Sequence, residues 1–190
     1  MTVLRQNRYR VKPTHPDYAL FLRHMKESRA VYNFANFLVR QGYFRRSGKK
    51  FNTEFLDEFN DDPSLRADIE AYFEEGKNFT SRLHRILCAV ARRWECDINA
   101  KVVQGIVNHL QADWASFFEL LKKKRDGLID NKVSPPRYKK EAYNLVEYNP
   151  QVISKKKLRA GFIGTAKMEQ GVKLRILLPN ETVQAFRVDW

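Results

Sequence analysis

NAKVVQGIVNHLQADWASFFELLKKKR, residues 99–125, is the last stretch of this 190-residue chain in which apolar residues recur at helical spacing. Val103, Val107, Leu110, Trp114, Phe117, Phe118 and Leu121 share one face, which predicts a helix from about Asn99 to Arg125. Beyond Arg125 the texture changes. Asp126-Gly127, Asp130-Asn131 and Pro135-Pro136 mark a loop, and helical periodicity does not return. Short strands are predicted at Tyr143–Tyr148, Gln151–Ile153, Phe162–Ala166, Val172–Ile176 and Val183–Val188; Val172 to Ile176 alternates strictly between apolar and basic.

Upstream, three more helical stretches are expected. The first follows Pro13, capped by Thr14, with Phe21, Leu22, Met25, Tyr32, Ala35 and Val39 inward and fraying near Gly42. The second, Thr53–Glu75, is interrupted at Asp62-Pro63. The third, Thr80–Glu95, buries Leu83, Ile86, Leu87, Val90 and Trp94. The opening Val3–Lys12 reads as a basic strand. The expected fold is therefore α+β: a first strand in residues 1–13, a helical lobe in 14–126 and a β region in 127–190. In that order the helices are inserted between the first two strands of a small sheet or barrel.

Charge is unevenly distributed. The chain carries +13 overall. Residues 1–53 hold twelve Lys/Arg against two Asp/Glu, residues 54–75 one against nine, and residues 122–159 twelve against four. Two basic regions flanking an acidic insert favour a polyanionic partner, because each phosphate neutralised releases condensed counterions. The acidic insert itself reads as a solvated helical face. Cys88 and Cys96 form no C-x-x-C pair and are expected as free thiols in a reducing compartment. The polar start and the lack of a long apolar run point to the cytoplasm and away from a membrane.

The polar side of residues 99–125 carries the most specific signal. Lys101, Gln104, Asn108 and Gln111 fall on one stripe opposite the Trp114 face. Asn and Gln suit adenine edges, while Lys reaches guanine or phosphate; an ordinary solvated surface is the competing explanation. Lys122, Lys123, Lys124 and Arg125, then Arg137, Tyr138, Lys139 and Lys140 after two prolines, interleave cations with an aromatic that can stack on a base. Lys155, Lys156 and Lys157 form a third basic cluster, and Arg5, Arg8 and Arg10 line the first strand. Asn33 and Asn36, one turn apart, are expected to bond backbone or ligand.

Motifs for catalysis are missing. His15, His24, His84 and His109 do not fall at metal-ligand spacings, and neither a Gly-rich phosphate loop nor a nucleophile elbow is present. The predicted strands supply only Glu147, Glu181 and Asp189, too little for a two-metal carboxylate centre.

Three segments in order resemble the TnpB/OrfB transposon-associated family, related to type V CRISPR effectors. They are Val11 to Pro16 with Ser28 to Gln41, Ile98 to Gln104 with Trp114 to Lys122, and Ser134 to Lys140. The resemblance implies a wedge-type β-barrel with an inserted helical recognition lobe. That half of such proteins binds guide RNA and the guide–target heteroduplex and reads a short motif beside the target. It would place Lys101, Gln104, Asn108, Gln111, Tyr32 and Asn33 at target-adjacent DNA. Arg5, Arg8, Arg10, Lys122, Lys123, Arg137, Tyr138, Lys139, Lys140 and Lys155 to Lys157 would hold RNA or heteroduplex. Gly105 stands where many relatives place a second Gln, and residues 54–75 form a longer insert. The family's RuvC-like nuclease domain, with its acidic centre and zinc ribbon, is absent from the sequence, which ends at Trp190. The expected function is a non-catalytic recognition subunit, without cofactor, that binds guide RNA and target DNA and relies on a separate RuvC-like nuclease chain. A stand-alone DNA-binding regulator and a truncated transposon-protein remnant are the alternatives.

Overall fold

The computed structural model describes residues 11–75 and 81–173, together with the backbone of 186–188. The expected strand at Val3–Lys12, and Arg5, Arg8 and Arg10 with it, lies outside these residues apart from Val11 and Lys12. The chain is α+β and mostly helical. Helix α1 spans Tyr18–Arg46, α2 Pro63–Glu74, α3 Ser81–Arg93, α4 Ala100–Arg125 and α5 Lys155–Arg159. Strands β1 (Val146–Tyr148), β2 (Phe162–Ile163), β3 (Val172–Lys173) and β4 (Phe186–Val188) complete it.

Among the described residues the strands make two antiparallel pairs, β1 with β4 and β2 with β3, rather than a closed barrel. Local capping explains why the expected strand at Gln151–Ile153 is largely a 3₁₀ turn instead, and why a short helix follows it. Asn149 accepts from the Gln151 N–H ahead of a 3₁₀ turn at Pro150–Val152, and Ser154 accepts from the Lys157 N–H to start α5. Among the described residues only Ile153 and Thr165 still bridge there as strands do. Gly171 closes β2 against β3: its φ is +80°, and a Cβ there would lie 2.6 Å from the Ile163 carbonyl oxygen.

The first helix starts later and runs further than its sequence suggests. Its N-cap is Asp17, not Thr14, and the Asp17 carboxylate does not cap it. That carboxylate instead accepts from the Glu169, Gln170 (3.0 Å) and Gly171 (2.7 Å) N–H groups, tying the start of α1 to the β3 turn. Gly42 does not fray the helix, because it is buried, with Phe73 of α2 beside it. Asp62-Pro63 does break the second stretch, into a 3₁₀ turn at Glu54–Phe59 and α2. There Asp62 accepts from the Leu65 N–H and Pro63 sits in the first turn, where no N–H is required.

Helix α3 buries Leu83, Ile86, Leu87 and Val90 as its spacing predicts. Trp94 departs from that stripe and is 41% exposed, because the helix ends at Arg93 and Glu95 turns the chain with a φ of +52°. The acidic insert is not merely solvated. Asp68 accepts from Arg82 (3.3 Å) and Arg85 (2.6 Å), Glu75 from Arg82, and Asp61 from Arg93 (2.8 Å). Each such surface pair contributes little to stability. Their larger effect is to neutralise Arg82, Arg85 and Arg93; Arg92, the fourth arginine of α3, has no ion pair among the described residues and donates to the Cys88 carbonyl.

Helix α4 is capped by Asn99, whose side chain accepts from the Lys101 and Val102 N–H groups. It buries Val102, Val103, Ile106, Val107, Leu110, Trp114 and Phe117; Phe118 is partly exposed. A single core runs from this helix stack into Val146, Tyr148, Ile163, Met168 and Val172.

Candidate nucleic-acid interface

Residues 136–148 form an extended strap laid along α1 in the opposite direction. Polar side chains one or two turns apart on α1 grip its backbone in succession. Arg40 donates to the Pro136 carbonyl (2.9 Å), and Asn36 donates to the carbonyls of Pro136 (3.0 Å) and Arg137 (3.2 Å). Asn33 donates to the Lys139 carbonyl (3.1 Å) and accepts from its N–H (2.8 Å), while Arg29 reaches the same carbonyl. Ser28 donates to the Leu145 carbonyl (3.0 Å), and the strap ends with the Tyr148 hydroxyl 2.7 Å from His24 Nδ1. The bonds from Arg29, Asn33, Asn36 and Arg40 supply partners to strap backbone ahead of β1, which runs along a helix with no described strand beside it.

Asn36 links three elements, since its Oδ1 also accepts from the Trp114 indole N–H of α4 at 3.1 Å. Asn36 and Trp114 are both fully buried. Beside them Tyr32, also buried, donates its hydroxyl to Asp113 on α4 at 2.5 Å; burial and then that carboxylate push its pKa up. Lys139 of the strap sits over the Tyr32 ring at 4.7 Å, and Arg40 sits over the Tyr138 ring at 5.2 Å.

These contacts revise two expected roles. Tyr32 is buried with its hydroxyl on Asp113, and Asn33 is bonded to the Lys139 backbone through both the oxygen and the nitrogen of its amide. Their side-chain contacts hold α4 and the strap against α1. What they place at the surface is the segment Arg137, Tyr138, Lys139 and Lys140, all four exposed.

The amide stripe of α4 is arranged as its spacing predicts. Lys101, Gln104, Asn108 and Gln111 are all exposed, on the side away from Leu110 and Trp114. Lys101 Nζ lies 3.4 Å from Gln104 Oε1. Gly105, Glu147 and Asn149 join Lys101, Gln104 and Asn108 around a shallow groove of about 120 Å³ between α4 and β1. Glu147 also lies 3.3 Å from His109 Nε2. Sequence reasoning did not join Glu147 and Asn149 to this stripe, since they sit about 40 positions away and no local signal links them.

The remaining cations divide. Lys122 and Lys123 are exposed in the last turn of α4, where cations complement the helix dipole. Lys155 and Lys156 are exposed on α5. Lys157 is not free for RNA: its ammonium donates to the carbonyls of Met168 and Glu169 (2.7 Å).

Both cysteines are half-buried free thiols whose pKa burial pushes up, Cys96 to about 11. Among the described residues no three His, Cys, Asp or Glu are grouped to hold a metal ion, and no helix is long and apolar enough to cross a membrane. No family model, curated protein or solved structure matches the chain.

Proposed function

We propose that this protein is a non-catalytic recognition subunit that binds guide RNA and target DNA in a TnpB-like RNA-guided system. In this reading the helices form the recognition lobe and the strands belong to a wedge-type barrel. A separate RuvC-like nuclease chain would cut. The observation that carries the reading is the pairing of an exposed amide stripe on α4 with a cationic strap fastened to α1. Lys101, Gln104, Asn108 and Gln111 offer hydrogen-bonding groups suited to base edges. Arg137, Lys139 and Lys140 offer phosphate contacts on a backbone that Asn33, Asn36 and Arg40 hold still. Arg82, Arg85 and Arg93 are engaged by acidic residues, whereas Arg137, Lys139 and Lys140 have no ion pair among the described residues.

The test is binding of a structured RNA by fluorescence anisotropy across a salt series. Affinity is expected to fall steeply with salt, and each phosphate-binding lysine removed should lower the slope by about one. Salt-independent binding, or none, would overturn the proposal. Footprinting of duplex DNA by protein alone separates it from a stand-alone DNA-binding regulator, which would protect a defined sequence without RNA.

A further inference from the structure

Between the N-terminal end of α4 and the turn after β2 lies a half-open cleft of about 410 Å³. Small-molecule sites run from about 300 to 1,000 Å³, and the space is far larger than a single water needs. Its walls are mostly apolar, formed by Ile98, Val102, Val152, Ala166 and the ring of Tyr148. Two side chains in its lining, His24 and Thr165, are 3% and 5% exposed. Their Nε2 and Oγ1 atoms have no hydrogen-bond partner among the described residues. Buried polar atoms are nearly always paired, so two orphans on residues that line one apolar cleft point to a partner from outside. A small side-chain adjustment must let that partner in, because both atoms are themselves buried.

The chemistry of that partner follows from what the cleft offers. His24 Nδ1 and the Tyr148 hydroxyl share one proton, and either assignment leaves Nε2 as a single unsatisfied donor or acceptor. Burial keeps the imidazole neutral at pH 7. The helix end is no anion hole, because Asn99 already takes the Lys101, Val102 and Val103 N–H groups through its side chain and carbonyl. Arg23 and Lys167 are paired with Asp97. The deep contacts are thus neutral and polar within apolar walls, which suits a flat heteroaromatic ring more than a phosphate. Lys101 lines both this cleft and the groove beside the amide stripe.

We propose that the cleft takes one nucleobase, with His24 Nε2 and Thr165 Oγ1 on its polar edge and Lys101 beside its phosphate. The base comes either from a free mononucleotide or from a strand on α4 that turns one nucleotide out of its stack. The inference rests on the nucleic-acid reading of α4.

The experiment follows the histidine side-chain nitrogens by NMR in the full chain. AMP, CMP, GMP and UMP are added separately, then ribose 5-phosphate, inorganic phosphate and a short single-stranded RNA. At least one base-bearing ligand is expected to shift His24 Nε2. Thr165→Val, which removes an unpartnered hydroxyl and should not unfold the protein, is expected to weaken that ligand about tenfold. Gln151→Ala, at the exposed rim, is expected to weaken it less. A shift by the mononucleotides identifies a free-nucleotide site, and a shift by RNA alone a turned-out base; either supports the proposal. Equal shifts from phosphate or ribose 5-phosphate would overturn it in favour of an anion site. If His24 stays still while the RNA binds with steep salt dependence, the cleft inference falls and the reading of α4 stands. If a mononucleotide shifts His24 while the RNA does not bind, the cleft stands as a free-nucleotide site and the reading of α4 falls; if neither binds, both fall.

Discussion

Replacing Asn36 with Ala tests the joint on which the cationic strap depends. The substitution removes one buried acceptor, opposite the Trp114 indole N–H, and one donor, opposite the Pro136 and Arg137 carbonyls. Trp114 is fully buried, so its N–H finds no water in exchange and costs about 1–3 kcal/mol when orphaned. The Pro136 carbonyl keeps its bond from Arg40, and the Arg137 carbonyl is only partly buried, so these add about 1 kcal/mol. The expected loss is about 2–4 kcal/mol in urea unfolding monitored by tryptophan fluorescence and circular dichroism. A Trp114→Phe background isolates the indole contribution. There is then no N–H to orphan, and the cost of Asn36→Ala should shrink by about 1–2 kcal/mol. A loss below about 1 kcal/mol, or an equal loss in both backgrounds, would refute the idea that Asn36 joins α1, α4 and the strap.

Other consequences can be measured on the same protein. Replacing Lys101, Gln104 and Asn108 together with Ala should leave the unfolding midpoint nearly unchanged, since all three are exposed, while RNA or DNA binding in the anisotropy assay drops at least tenfold. Unchanged binding would remove the stripe from the interface. Burial, offset in part by Asp97, pushes the His24 pKa from 6.5 down to about 4. The unfolded chain therefore takes up a proton first: stability from His24 is complete above pH 6.5 and declines toward pH 4, by up to about 3 kcal/mol. The difference between wild type and His24→Gln in urea titrations over that range reads it directly, and a flat difference would contradict it. For Asp17, burial raises the carboxyl pKa, but three backbone donors and His15 outweigh it and hold the group below the ordinary carboxylate value. Its contribution is present above the unfolded carboxylate range and is lost as pH falls through the lowered value. Asp17→Asn should cost about 2–3 kcal/mol and accelerate hydrogen exchange at Glu169, Gln170 and Gly171; unaltered exchange there would exclude the clamp.

Much of the helical architecture is legible in the sequence because it is local. The spacing of Leu83, Ile86, Leu87 and Val90, and of Val103, Val107, Leu110 and Trp114, defines faces that must be buried wherever the helices pack. Asp62-Pro63 marks a break for equally local reasons. The amide stripe of α4 is legible too, since helix geometry alone puts Lys101, Gln104, Asn108 and Gln111 on one side. Strands are harder to read. Short apolar alternation at Gln151–Ile153 competes with capping by Asn149 and Ser154, and capping wins where the neighbouring chain offers only the single Ile153–Thr165 bridge.

By itself the sequence determined the helical faces, the uneven charge and the residue types available for nucleic acid, because each follows from spacing or composition along the chain. Only tertiary structure decided which polar groups are free. Tyr32 and Asn33 were committed to Asp113 and Lys139, Arg82 and Arg85 to Asp68, and Lys157 to the turn after β2, all through partners distant in sequence or on neighbouring elements. Packing likewise left His24 Nε2 and Thr165 Oγ1, on residues 141 positions apart that line one cleft, without a partner among the described residues. A hydrogen bond depends on atoms meeting in space within about 3 Å, and linear order carries no record of that distance.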